Sequence, residues 1–133
     1  MKTFARHLLV ELHGCDPRVL NDQAELASWM RRAAEAAGAR VVAEVFHPYS
    51  PHGVTGVLVI EESHFSVHTW PELGYAAVDF YTCGQIAPVR AAEVLERGLG
   101  AQRLELLEVH RGLTGGESGL AVQGLNTRKA LIE

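Results

Sequence analysis

The stretch VTGVLVIEESHFSVHTWPELGYAAVDFYTCG, Val54 to Gly84, decides the fold. Its first seven residues, Val54 to Ile60, are almost continuously apolar and rich in β-branched side chains, the pattern of a strand covered on both faces. Phe65 to Trp70 and Ala76 to Cys83 read as two more strands, and Pro71 to Gly74 supplies the turn between them. The middle of the chain is therefore sheet.

Toward the N-terminus, His47 to Gly53 carries Pro48, Pro51 and Gly53 and reads as a loop, preceded by a strand over Ala39 to Phe46. Leu26, Trp29, Met30, Ala33 and Ala37 recur three or four apart, predicting a helix with Asn21 or Asp22 as its cap and Gly38 at its end. Phe4 to His13 reads as a strand that the Gly14 to Pro17 break terminates. Toward the C-terminus, Ala87 to Leu99 reads as a second helix with Val89, Ala92, Leu95 and Leu99 on one side. Gln102 to His110 alternates as a half-buried strand. Beyond Gly112, with glycines at 115, 116, 119 and 124 and no sustained period, the chain reads as irregular. This order predicts an α+β two-layer sandwich, a mainly antiparallel sheet with both helices on one face. The apolar character of Val54 to Ile60 then calls for a cover on the other face, which a partner subunit would supply in an α/β/β/α dimer.

The chain has 133 residues, 47% of them hydrophobic, enough for one domain with a real core. Twelve basic and sixteen acidic residues leave a charge of −4 with the basic residues scattered, which argues against a nucleic-acid partner. Arg6 and His7 interrupt the N-terminus before a signal-peptide core develops, and no apolar run approaches membrane-spanning length. The expectation is a cytoplasmic protein with no membrane partner, whose two cysteines, Cys15 and Cys83, are free thiols.

Two His, two Ser, several carboxylates and a Cys crowd the stretch from Glu61 to Gly84. Zinc is one reading, since His64 and His68 stand four apart. On a strand that spacing separates them by about 13 Å, too far for both to reach a metal at about 2 Å, so no metal is expected. Taken singly, each His reads as a polar group satisfied by a backbone carbonyl, Ser63 as a turn or cap residue and Cys83 as a small buried apolar residue.

The combination carries more. ESHFSVHTWPE (residues 62–72), GYAAVD (74–79) and TCG (82–84), flanked by HLLVELHGCDP (7–17) and FHPYSPHGVTGVLVI (46–60), resemble in order and spacing the signature of bacterial S-adenosylmethionine decarboxylase proenzymes. The resemblance runs from about residue 5 to about residue 112. It implies a chain that cuts itself between Glu62 and Ser63, giving residues 1–62 (the beta chain) and 63–133 (the alpha chain). The Ser63 hydroxyl would attack the preceding carbonyl, the ester would lose its acyl part by β-elimination, and hydrolysis would leave a covalently bound pyruvoyl group as the cofactor at the new N-terminus.

The resemblance assigns His68 as the base of that elimination, a role an imidazole fills near neutral pH without special surroundings. Thr55 stands where the family usually has Ser. The hydroxyl that supports processing is kept, while the added methyl stiffens χ1. Cys83 matches the acid that returns a proton after CO₂ leaves. Tyr49, usually Phe, would stack on the adenine of S-adenosylmethionine, and Glu72 would hold its ribose hydroxyls. Taken alone, Tyr49 reads equally as a packed loop aromatic and Glu72 as a solvated turn carboxylate. The implied product is the aminopropyl donor of spermidine and polyamine synthesis.

Ser63 and His68 are an odd number of residues apart, so a regular strand separates them by about 16 Å and points them to opposite faces. The family places each site across a homodimer, which implies Ser63 and Cys83 from one chain against Tyr49, Thr55, His68 and Glu72 from the other. Two alternatives stay open from the sequence. One is a pyruvoyl decarboxylase of the same ancestry acting on ornithine or arginine, and the other is an uncleaved, non-catalytic relative.

Overall fold

The computed structural model describes residues 3–61, 63–113 and 120–129. Seven strands form one sheet: β1 (Thr3–His13), β2 (Val41–Pro48), β3 (Val54–Ile60), β4 (Ser63–Trp70), β5 (Tyr75–Thr82), β6 (Arg103–Leu113) and β7 (Leu120–Lys129). Their order is β2-β3-β4-β5-β1-β6-β7, and every neighbouring pair is antiparallel. The helices are α1 (Pro17–Leu20), α2 (Gln23–Ala37) and α3 (Pro88–Gly98), and a 3₁₀ turn at Pro71–Leu73 joins β4 to β5. The expected α+β layering of an antiparallel sheet with helices is what the chain adopts.

Each helix has its local cause. Asp22 caps α2 by accepting from the Glu25 N–H at 3.0 Å, and Gly38 closes it in the left-handed conformation at φ 81°. Leu26, Met30, Ala33 and Ala37 are buried, while Trp29 lies across to α3. There a Cβ on Gly98 would run into the Trp29 ring, so glycine lets the two helices approach. Pro88 opens α3 at a position with no intrahelical donor to lose. Ala91, Ala92, Leu95 and Leu99 are buried, but Val89 is exposed, contrary to the expected stripe, because the buried face runs through Pro88, Ala91, Ala92 and Leu95 and Val89 falls at its margin.

Beneath the helices, Phe65 and Phe80 meet edge to face with centroids 4.6 Å apart, packed among Leu8, Leu12, Leu58 and Ile60. Burying each such side chain contributes about 1.5–3 kcal/mol. Among the described residues, no helix covers the other sheet face. Val54, Gly56, Leu58 and Ile60 of β3 are buried, whereas Val59 between them is 46% exposed and Leu9 on β1 is 40% exposed. The double burial expected of β3 is thus absent within one protomer.

The tail departs further from expectation. Leu120–Lys129 is a full strand paired along β6 rather than irregular chain. Gly124, which argued against a strand, stands opposite Glu108 beside a shift in register, where a bulge tolerates it. Glycines 115, 116 and 119 lie outside the described residues. Cys15 and Cys83 are both free thiols, and burial pushes the Cys15 thiol up to about 12. No helix among the described residues is long and apolar enough to cross a membrane.

Candidate active site

β4 begins at Ser63 directly after the tight β3–β4 turn, with Ser63 in register with Ile60. Cys83 follows the last residue of the neighbouring β5. These two strand ends meet, and the Ser63 hydroxyl donates to Cys83 Sγ at 3.6 Å, within range for sulfur. Both residues are half-buried. Glu62, the other side of the expected cut, lies outside the described residues.

A second group forms at the far end of the same strand. Thr55 pairs with His68 across β3 and β4, and Thr55 Oγ1 lies 3.0 Å from His68 Nδ1. That contact engages one ring nitrogen and restrains the ring plane. A cavity of about 400 Å³ opens beside it, lined by Tyr49, His52, Thr55, His68, Trp70 and Glu72. Tyr49 is exposed and meets the His47 ring edge-on at 4.8 Å. Glu72 projects from the 3₁₀ turn, and its Oε1 lies 3.0 Å from His52 Nε2. Trp70 stacks on Tyr75 with centroids 5.2 Å apart, and the Tyr75 hydroxyl donates to Glu11 at 2.6 Å. Burial first, and then the Glu11 carboxylate, pushes that phenol up to about 12.

The structure therefore brings Ser63 to Cys83, and Tyr49, Thr55, His68 and Glu72 to one another, but not the first group to the second. Five residues of regular strand separate Ser63 from His68, about 16 Å. Ser63 alternates with Phe65 and Val67 on the helix side, and His68 with Ser66 and His64 on the open side.

Between the two groups, the open face carries a polar centre that sequence reasoning missed. Asp79 on β5 accepts from His7 Nε2 at 2.6 Å, from His64 Nε2 at 3.1 Å and from the Ser66 hydroxyl. Burial raises the Asp79 pKa, but the bonds from Ser66, His7 and His64 outweigh it and hold the carboxyl below the ordinary aspartate range. Ligand atoms of His7, His64 and Asp79 all lie within 4.8 Å of one another. Arg111, however, donates to His7 Nδ1 at 3.4 Å, and an arginine cannot accept. The His7 proton is then on Nε2, pointing at Asp79 where a metal would need a lone pair. Only strand register joins residues 7, 64 and 79, so no local signal could have found them. Trp70 did have a signal, standing two residues beyond His68 on the same strand face.

The described residues thus form an antiparallel sheet backed by helices, with a serine and a thiol together at one end of β4 and a histidine-lined cavity at its other end. The family model described as S-adenosylmethionine decarboxylase matches residues 6–112, and the chain belongs to that family. It is 45% identical over 113 residues to the S-adenosylmethionine decarboxylase proenzyme of Thermotoga maritima, covering 84% of this chain and 87% of that one. It is 47% identical over 114 residues to the proenzyme of the same name from Caldicellulosiruptor saccharolyticus, covering 85% and 92%. The crystal structure of the adenosylmethionine decarboxylase from Aquifex aeolicus superposes with a TM-score of 0.79 at 32% identity, covering 89% of this chain and 98% of that one. A Trypanosoma brucei AdoMetDC structure, 13% identical with a TM-score of 0.58, shares the fold.

Proposed function

We infer that this chain is a proenzyme that cuts itself before Ser63 and then decarboxylates S-adenosylmethionine, yielding the aminopropyl donor of polyamine synthesis. The observation that carries this reading is the Ser63–Cys83 pair at 3.6 Å, in a chain of this family. Ser63 is the first residue of β4, so the cut proposed before it would leave the new terminus at the start of a strand. The same position suits the covalently bound pyruvoyl group that Ser63 would become. That group supplies an electron sink for the pair released with CO₂.

This chain's residues do the rest. The Ser63 hydroxyl attacks the carbonyl before it, and His68, its ring set by Thr55, removes the Cα proton that completes cleavage. Tyr49 stacks on the adenine, and Glu72 accepts from the ribose hydroxyls. Cys83 Sγ, held at the processed end, returns a proton to the carbon that lost CO₂. Because Ser63 and His68 stand about 16 Å apart along one strand, the two are taken from different copies of the chain. Each site of the homodimer then uses Ser63 and Cys83 from one protomer and Tyr49, Thr55, His68 and Glu72 from its partner. The same pairing covers Leu9 and Val59.

Two measurements test this reading. Intact-mass spectrometry is expected to find fragments of 62 and 71 residues, the second without a free amino terminus. Release of CO₂ from carboxyl-labelled S-adenosylmethionine should greatly exceed release from ornithine or arginine. Turnover of a free amino acid instead would move the substrate assignment, and a stable full-length species would overturn the processing.

A further inference from the structure

His52 lines the cavity, and the reading above gives it no task. Its Nε2 lies 3.0 Å from Glu72 Oε1. Both side chains are partly exposed, so a ligand can reach the pair. They also line a second, larger groove of about 1110 Å³ running beneath α1 and α2 past Asn21, Gln23 and Phe46. The His52–Glu72 pair is thus the wall shared by the groove and the small cavity that holds Tyr49, Thr55 and His68.

The loop that carries His52 is built. The Tyr49 N–H donates to the Gly53 carbonyl at 2.7 Å, and the Gly53 N–H donates to Asn21 Oδ1 at 2.9 Å. Val54 N–H then donates to Thr69 Oγ1 at 2.9 Å, tying the loop to β4. One anchored segment therefore fixes Tyr49 and His52 together. Glu72, by contrast, projects from a three-residue turn with no side-chain cap. A carboxylate there is free to swing between cavity and groove unless one of its oxygens is held.

We propose that His52 is a positioning residue: by donating to Glu72 Oε1 it aims the carboxylate into the cavity, where the remaining lone pairs select a nucleoside bearing both ribose hydroxyls. Facing a carboxylate, which only accepts, the imidazole takes the form that carries its proton on Nε2. The inference rests on the assignment of the cavity to the nucleoside of S-adenosylmethionine. Losing the restraint on one rotamer-rich carboxylate weakens binding about three- to tenfold.

The test uses the processed protein and three chains: wild type, His52→Ala and His52→Gln. For His52→Ala, KM for S-adenosylmethionine is expected to rise about three- to tenfold with kcat lowered less than twofold. Glutamine, whose amide N–H reaches the same oxygen, should restore KM. Calorimetry with adenosine and 2′-deoxyadenosine gives a readout independent of turnover. The wild type should prefer adenosine, and His52→Ala should lose most of that preference. Unchanged KM and unchanged preference in His52→Ala would overturn the inference, as would failure of His52→Gln to restore either in a folded, processed protein. Absence of turnover in the wild type, measured first in the same assay, would instead overturn the functional reading.

Discussion

The two ends of β4 are built in different ways. At the Ser63 end, the strand has just left a turn, and a hydroxyl and a thiol meet where two strands stop. At the other end, His68 is held in mid-ladder by Thr55 across β3, beside a cavity walled by an anchored loop and a 3₁₀ turn. The first end suits a covalent change in the chain, since a serine hydroxyl and a thiol stand together at the start of one strand and the end of the next. The second suits recognition, since its groups are fixed before any ligand arrives. Neither end holds a complete set of groups, and the face between them is apolar at Leu9 and Val59 and polar at His7, His64 and Asp79.

Substitutions at the two ends should therefore fail differently. Ser63→Ala is expected to show the largest effect: no cleavage by intact mass and CO₂ release at background, because alanine has no oxygen for the acyl shift. Cys83→Ala should still be cut, while productive turnover falls by about a hundredfold or more with loss of the proton donor. Wild-type turnover there would return Cys83 to a packing role. Thr55→Val removes the hydroxyl against His68 Nδ1 and should slow self-cleavage by about tenfold, whereas Thr55→Ser keeps it and should process at least as fast as wild type. A time course of fragment appearance separates the three chains.

The smallest effect belongs to the face between the ends. The Asp79 carboxyl is held below its ordinary value of 3.8, so its bonds to Ser66, His7 and His64 add stability that is complete above that pH and lost as pH falls through the lower, folded value. Asp79→Asn should cost about 1–2 kcal/mol near neutral pH and flatten the acid limb of a Tm profile. An unchanged acid limb would detach Asp79 from the stability of the open face.

Legibility in the sequence followed the range of the cause. α2 was readable because its cap at Asp22, its apolar stripe and its terminal Gly38 all lie within the element. β4 and β5 were readable from alternation and from Pro71 to Gly74 between them. β7 was not, because its strand character comes from the ladder with β6 and its glycine falls at a register shift. The candidate residues Tyr49, Thr55, Ser63, His68, Glu72 and Cys83 are named by resemblance, while their sorting into two groups follows from Ser63 and His68 standing at the two ends of β4. His52 gave no periodic signal in its loop, and the His7–His64–Asp79 centre depends on the register of three strands.

The central claim is that one site needs both ends of β4, taken from different chains. Coexpressing Ser63→Ala with His68→Ala chains tests it directly. Random mixing makes half the dimers mixed, and each mixed dimer has one site uniting wild-type Ser63 with wild-type His68, so about a quarter of wild-type CO₂ release is expected, with cleavage of only the His68→Ala chain. No recovery of cleavage or turnover from folded, mixed dimers would contradict the shared site and require Ser63 and His68 to act within one chain.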